Sequence, residues 1–154
     1  MANKTDNTEI VPATTDTEIA PVSMSDIVDS TGKFINTVNM DTFEGKVKVV
    51  NALNSARSLK DATDVLSMTD IITMPGVRKG RNGMPDTQCT NTYIIDSDGI
   101  AWFSQSDGVA RSAMQLASIF KGNFTGNELG YLPVKVMEQD LPNGNTIKNL
   151  VIAM

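Results

Sequence analysis

The rhythm of apolar and polar positions changes near residue 40. In residues 1–22, Ile10, Val11 and Ile19 stand nearly alone among Thr, Asn, Asp and Ala. So few apolar groups cannot bury the surface that would offset ordering entropy, and a disordered tail is predicted. Residues 23–40, "SMSDIVDSTGKFINTVNM", hold two small apolar groups: Ile27 and Val28 after a capping Ser25, then Phe34, Ile35 and Val38, with Gly32 as a break. This N-terminal extension packs on its own domain or on a neighbouring subunit, which makes it a candidate self-association segment for a homo-oligomer.

Beyond residue 41 the pattern turns to strands. "GKVKVVNALN" alternates Val47 and Val49 with Lys46 and Lys48 and predicts a half-exposed strand. A polar connection leads to "LSMTDIITMPGV", a second apolar run that ends at Pro75 and Gly76. "TQCTNTYIID" and "GIAWFSQS" flank Asp98 and Gly99, a tight-turn pair. "DGVARSAMQLASIFKG" is a helical pattern, with Asp107 at the cap, Val109, Ala113, Leu116, Ala117 and Phe120 on one face, and Gly122 as the stop. The closing "LPVKVMEQ" and "TIKNLVIAM" alternate around an Asn-Gly pair. This order predicts a mainly β domain over residues 41–154: a five- to six-stranded, OB-like barrel (the oligonucleotide/oligosaccharide-binding type) with one helix, plus the N-terminal extension.

With Asp98 and Gly99 as the two central turn residues, Ile95 would face Trp102 and Ile94 would face Phe103. That register sets Ile94, Ala101 and Phe103 on one face and Tyr93, Ile95, Ile100 and Trp102 on the other. Both faces are apolar, so the second needs a cover. Packing under a loop or helix supplies one; so does a nucleobase stacked on Trp102 or Tyr93, because every base offers a π-face.

Charge sharpens the choice. The chain is formally −5, but residues 1–40 carry six acids against two bases, and the remaining 114 residues twelve against eleven. A nearly neutral body lets a local basic patch set its surface potential. Arg78, Lys79 and Arg81 form such a patch in "GVRKGRNGMP", where Gly76, Gly80 and Gly83 leave the backbone free to follow an irregular phosphate chain. A solvated surface loop is the plain alternative. Lys46 and Lys48, with Arg57 and Lys60 after them, extend the track.

Several functions are excluded or disfavoured. Histidine is absent, which removes histidine-based triads and most metal centres. The single Cys89 forms no intrachain disulfide framework. Asp96 and Asp98 read as turn formers, and "DSDGIAW" falls short of a calcium loop. No cofactor, metal or enzymatic activity is expected. Neither a secretory signal nor a run of about 18 apolar residues is present, so no membrane and a cytoplasmic location are expected.

Three stretches carry a family likeness: "DTFEGKVKVVNALNSARSLKD", "DSDGIAWFSQS" before the helix, and "VKVMEQDLPNGNTIKNLVI". Together they resemble the single-stranded DNA-binding proteins of small protein-primed tailed phages, the phi-29 group. The resemblance implies non-sequence-specific coating of displaced strands during phage replication, in the host cytoplasm and without catalysis. Trp102 stands where that family has an aromatic three residues after the hairpin glycine. Tyr93, Arg78, Lys79 and Arg81 rest on register and charge instead. The rival from another class is a phage structural or scaffold-like β protein whose aromatic face is a protein interface.

Overall fold

The structure is a computed structural model that describes residues 34–154. The 1–22 tail and residues 23–33 of the extension lie outside the described residues. Along the body run β1 (Ile35–Asn36), α1 (Phe43–Ser55), β2 (Arg57–Ser58), a 3-10 turn (Leu59–Asp61), β3 (Leu66–Arg78), β4 (Thr87–Asp96), β5 (Ala101–Ser104), α2 (Asp107–Ile119), β6 (Leu132–Asp140) and β7 (Thr146–Ile152).

The first element corrects the sequence reading. "GKVKVVNALN" is helix α1, so the body has two helices rather than one. Thr42 caps it, its hydroxyl accepting from the Gly45 N–H at 2.9 Å, and Glu44 lies in the positive first turn. The buried positions Gly45, Val49 and Ala52 follow the helical period. Of Val47 and Val49, which suggest alternation, only Val49 is buried; Val47 is on the exposed side with Val50.

The seven strands form one sheet, whose path runs β2-β5-β4-β3-β6-β7, with β1 paired to β3. Long β3 pairs antiparallel with β4 along its length and with β6 at Leu66–Met68. A bulge at Thr69 shifts the side-chain phase, so Leu66, Met68 and Ile71 all enter the same core. The path ends at β2 and β7, leaving a curled half-barrel. This is the predicted mainly β, OB-like architecture.

Two cores sit on the two faces of the sheet. The first gathers Met68, Ile71, Ile94, Val134 and Leu150 against Val109, Ala113 and Leu116 of α2. The second gathers Val38, Ile72, Tyr93, Ile95 and Ala101 beneath Val49 and Ala52 of α1. Ile35 and Val38 are thus buried in the chain's own body.

The β4–β5 register also differs from expectation by one residue. Ile95 faces Ala101, Ile94 faces Trp102 and Tyr93 faces Phe103. Asp96 N–H donates to Ile100 O at 2.9 Å, Gly99 N–H donates to Asp96 O at 2.9 Å, and Gly99 has φ 82°. The loop is therefore a three-residue turn ending in a left-handed glycine. The extra residue moves Trp102 to the side of the first core and Phe103 to the second.

Candidate functional site

The basic stretch is the tip and flank of an arm. Among the described residues, strands other than β4 reach β3 only at Leu66–Met68 and Ile72–Thr73, and β5 pairs β4 only from Thr92 to Ile95. Beyond them Met74–Arg78 and Thr87–Asn91 continue as a two-stranded ribbon. Its tip is a mirror-image turn: Asn82 and Gly83 have φ 54° and 80°, and the Met84 N–H donates to Arg81 O at 3.0 Å. Pro75 sits in the ribbon, where a missing ladder N–H is tolerated.

Polar contacts brace the arm. Gln105 Nε2 donates to Val77 O at 3.1 Å and to Asn91 Oδ1 at 3.0 Å. The Arg78 guanidinium donates to Gln105 O and faces Asp107 Oδ1 at 3.5 Å, joining the arm to the start of α2. Asp86 accepts from Gly80 N–H at 2.9 Å and pairs with Lys79 Nζ at 3.6 Å. Arg81 is exposed and makes no ion pair with a described residue.

An open cleft of about 990 Å³ lies beside this arm. Ser58, Leu59 and Lys60 line it from one end of the sheet, and Glu138, Thr146 and Lys148 from the other. The segment 103–108 lines it between those walls, and Arg78 and Arg81 reach it from the arm. Four cations therefore meet two carboxylates, Asp107 and Glu138, around one concave surface. Glu138 is 3.9 Å from Lys148 Nζ, and both pairs are solvent-exposed enough to exchange partners at little cost. Such a surface attracts a polyanion.

The remaining sequence candidates fall elsewhere. Lys46 and Lys48 are on α1, not on the polar side of a strand; Lys48 Nζ pairs with Asp70 Oδ2 at 3.3 Å, and neither lines the cleft. Tyr93 is only 8 % exposed, packed on Phe103 with ring centroids 5.2 Å apart, so no π-face is offered to a base. Burial pushes its phenol pKa above the ordinary value. Trp102 is half-buried against the first core. Its indole N–H donates to Asp96 Oδ2 at 3.1 Å, and the Arg57 guanidinium carbon lies 5.9 Å from its ring centroid. Asp96 is a turn residue, its Oδ1 accepting from the N–H groups of Asp98 and Ile100 at 2.9 and 3.0 Å.

Sequence reasoning missed Lys148, which reads as an ordinary solvent-side position of a strand. Only the curl of the sheet sets it opposite Lys60. Among the described residues no group of three or more His, Cys, Asp or Glu side chains is placed to hold a metal ion, and no helix is long and apolar enough to cross a membrane. No curated protein and no solved structure matches the chain. A family model described as Phage Single-stranded DNA-binding protein, of the Phi29 type, matches residues 28–153.

Proposed function

Because the chain belongs to the phi-29 family of phage single-stranded DNA-binding proteins, we propose that it coats the strands displaced during phage DNA replication, in the host cytoplasm and without sequence preference or catalysis. Phosphates are held by Arg78 and Arg81, with Lys79 on the arm and Lys60 and Lys148 on the cleft walls. Bases stack on Trp102. The observation that carries this reading is the convergence of Lys60, Arg78, Arg81 and Lys148 on one open cleft between the two ends of the sheet. The loops and strand edges of an OB barrel are where oligonucleotides bind, and a groove of cations beside an aromatic suits single strands of any sequence.

Trp102 is the chain's only tryptophan, so its fluorescence reports one site. Titration with oligo-dT should give saturable quenching that salt reverses and duplex DNA does not compete. Arg81→Ala should lower the slope of log K against log salt by about 0.7, one single-strand phosphate, while Lys46→Ala leaves it unchanged. Absence of both quenching and a gel shift would defeat the reading.

One observation favours a protein contact in addition. Phe43, Val47 and Val50 recur at helical spacing on the outer side of α1, and Phe43 is 81 % exposed. A structural or scaffold-like role, or self-association, draws on that stripe of α1 rather than on Ile35 and Val38, which the chain's own body buries.

A further inference from the structure

A base stacked on one face of Trp102 has a second face to cover. Resting on the proposed function, the geometry points to Arg57 as the outer jaw of a base clamp, with one nucleobase inserted between its guanidinium and the Trp102 ring.

Trp102 cannot easily swing out to meet a base. Its N–H is held by Asp96, whose other oxygen is occupied by two backbone donors, and part of the ring packs on the first core. A base must therefore come to the ring, on the side where Arg57 lies. β2 runs parallel to β5, with Arg57 opposite Trp102 and Ser58 opposite Phe103. Leu59 and Val109, which line the cleft, belong to the first core on which Trp102 also packs, so Trp102 lies on the cleft's side of the sheet although neither it nor Arg57 lines the cleft itself.

The spacing suits insertion. Stacked planes touch at about 3.5 Å, so a base held on both faces needs roughly 7 Å between its two neighbours. The Arg57 guanidinium carbon stands 5.9 Å from the ring centroid, so its height above the ring is at most that and it must move outward by at least about 1 Å to admit a base. Arg57 is exposed and makes no ion pair with a described residue, so an outward shift of that size breaks no ion pair there. In a chain without histidine, guanidinium is also the one cationic side chain with a plane to offer: it stacks on bases, whereas a lysine ammonium is a point charge.

That difference defines the test. Binding of labelled oligo-dT is measured by anisotropy across salt concentrations for the full chain, Arg57→Lys and Arg57→Ala. The clamp predicts that Arg57→Lys weakens binding about tenfold, the size of one lost stacking contact, with the salt slope unchanged. Arg57→Ala should weaken it at least as much and lower the slope by about 0.7. An Arg57→Lys affinity within about threefold of wild type overturns the clamp and leaves Arg57 a phosphate contact or a bystander, as Arg57→Ala then decides. If the unaltered chain itself fails to bind, the failure lies with the proposed function; if it binds and Arg57→Lys is silent, only the clamp fails.

Discussion

Gly108→Ala should destabilise the body, against the ordinary preference of helices for alanine. Gly108 lies in the first turn of α2, and in an open helix the change would gain up to about 1 kcal/mol. Here a β-carbon would stand 2.0 Å from the Lys148 carbonyl oxygen and 3.1 Å from Asn149 Oδ1. The first obstacle is backbone on the paired strand β7, which cannot turn aside as a flexible side chain would. The helix must retreat by more than 1 Å, which also loosens the Ser112 hydroxyl, now bonded to Gly108 O at 2.7 Å and 3.4 Å from Asn149 Oδ1.

Overpacking of this kind costs about 1–3 kcal/mol, and two unyielding backbones argue for the upper end. Less the helix gain, about 2 kcal/mol remains, which lowers Tm by roughly 5–10 °C for a body of this size. Thermal melts followed by circular dichroism, with urea titration to compare Cm at constant m, measure it. A Gly108→Ala chain that melts at or above wild type would refute the close approach of α2 to β7.

Two further changes test the buried polar groups. Asp96→Asn leaves one carboxamide oxygen where two carboxylate oxygens served three N–H donors, so it should cost about 1–3 kcal/mol and shift Trp102 emission, since the indole or the turn loses its acceptor. Emission and stability both unchanged would remove Asp96 as the anchor of the ring. For Tyr93, burial raises the folded phenol pKa, so its stability contribution is whole below the unfolded value of about 10 and is lost as pH rises through the folded value. Tyr93→Phe should therefore lose less stability than wild type between about pH 9 and 11 in urea titrations, and equal losses would refute the assignment.

The sequence was most legible where the pattern and the packing agree. β3, β4, α2 and the β6–β7 hairpin announce themselves, because most of their apolar positions are buried, although Val77, Met137 and Ile152 stay exposed and α2 is capped by Ser106 rather than Asp107. α1 was misread because valines occur on both of its sides: Val49 is buried, whereas Val47 and Val50 face outward. The helix signal in the sequence lies just upstream, in Thr42 as a cap and Glu44 in the first turn, and the alternation of Val47 and Val49 with lysines masks it. Asp98-Gly99 was misread by one residue, since a two-residue and a three-residue turn share the same pair and only Gly99 has a positive φ. That slip exchanged the faces of Trp102 and Phe103. Conversely Gly83, expected to leave the loop free to wrap, forms with Asn82 the tight turn with two positive φ angles that makes the loop an arm.

The cleft itself had no local signal, because it is a consequence of closure that does not happen. β5 has four residues and ends at Ser104; two residues later α2 begins, with the Ser106 hydroxyl capping Val109 N–H at 3.4 Å. The chain thus leaves the sheet after β5, only the two-residue β2 continues the path beyond it, and Gly108 lets the helix press on β7 at the other end. The helix start holds the two sheet ends apart, and Lys60 and Lys148 remain on opposite walls instead of being joined by a ladder. The same short β5 keeps Trp102 near the open end, on the first-core side of the sheet that the cleft shares through Leu59 and Val109. On this argument the cap, the glycine and the basic walls form one device, and a substitution that lengthens β5 at the expense of Ser106 should weaken DNA binding even if every cation is kept.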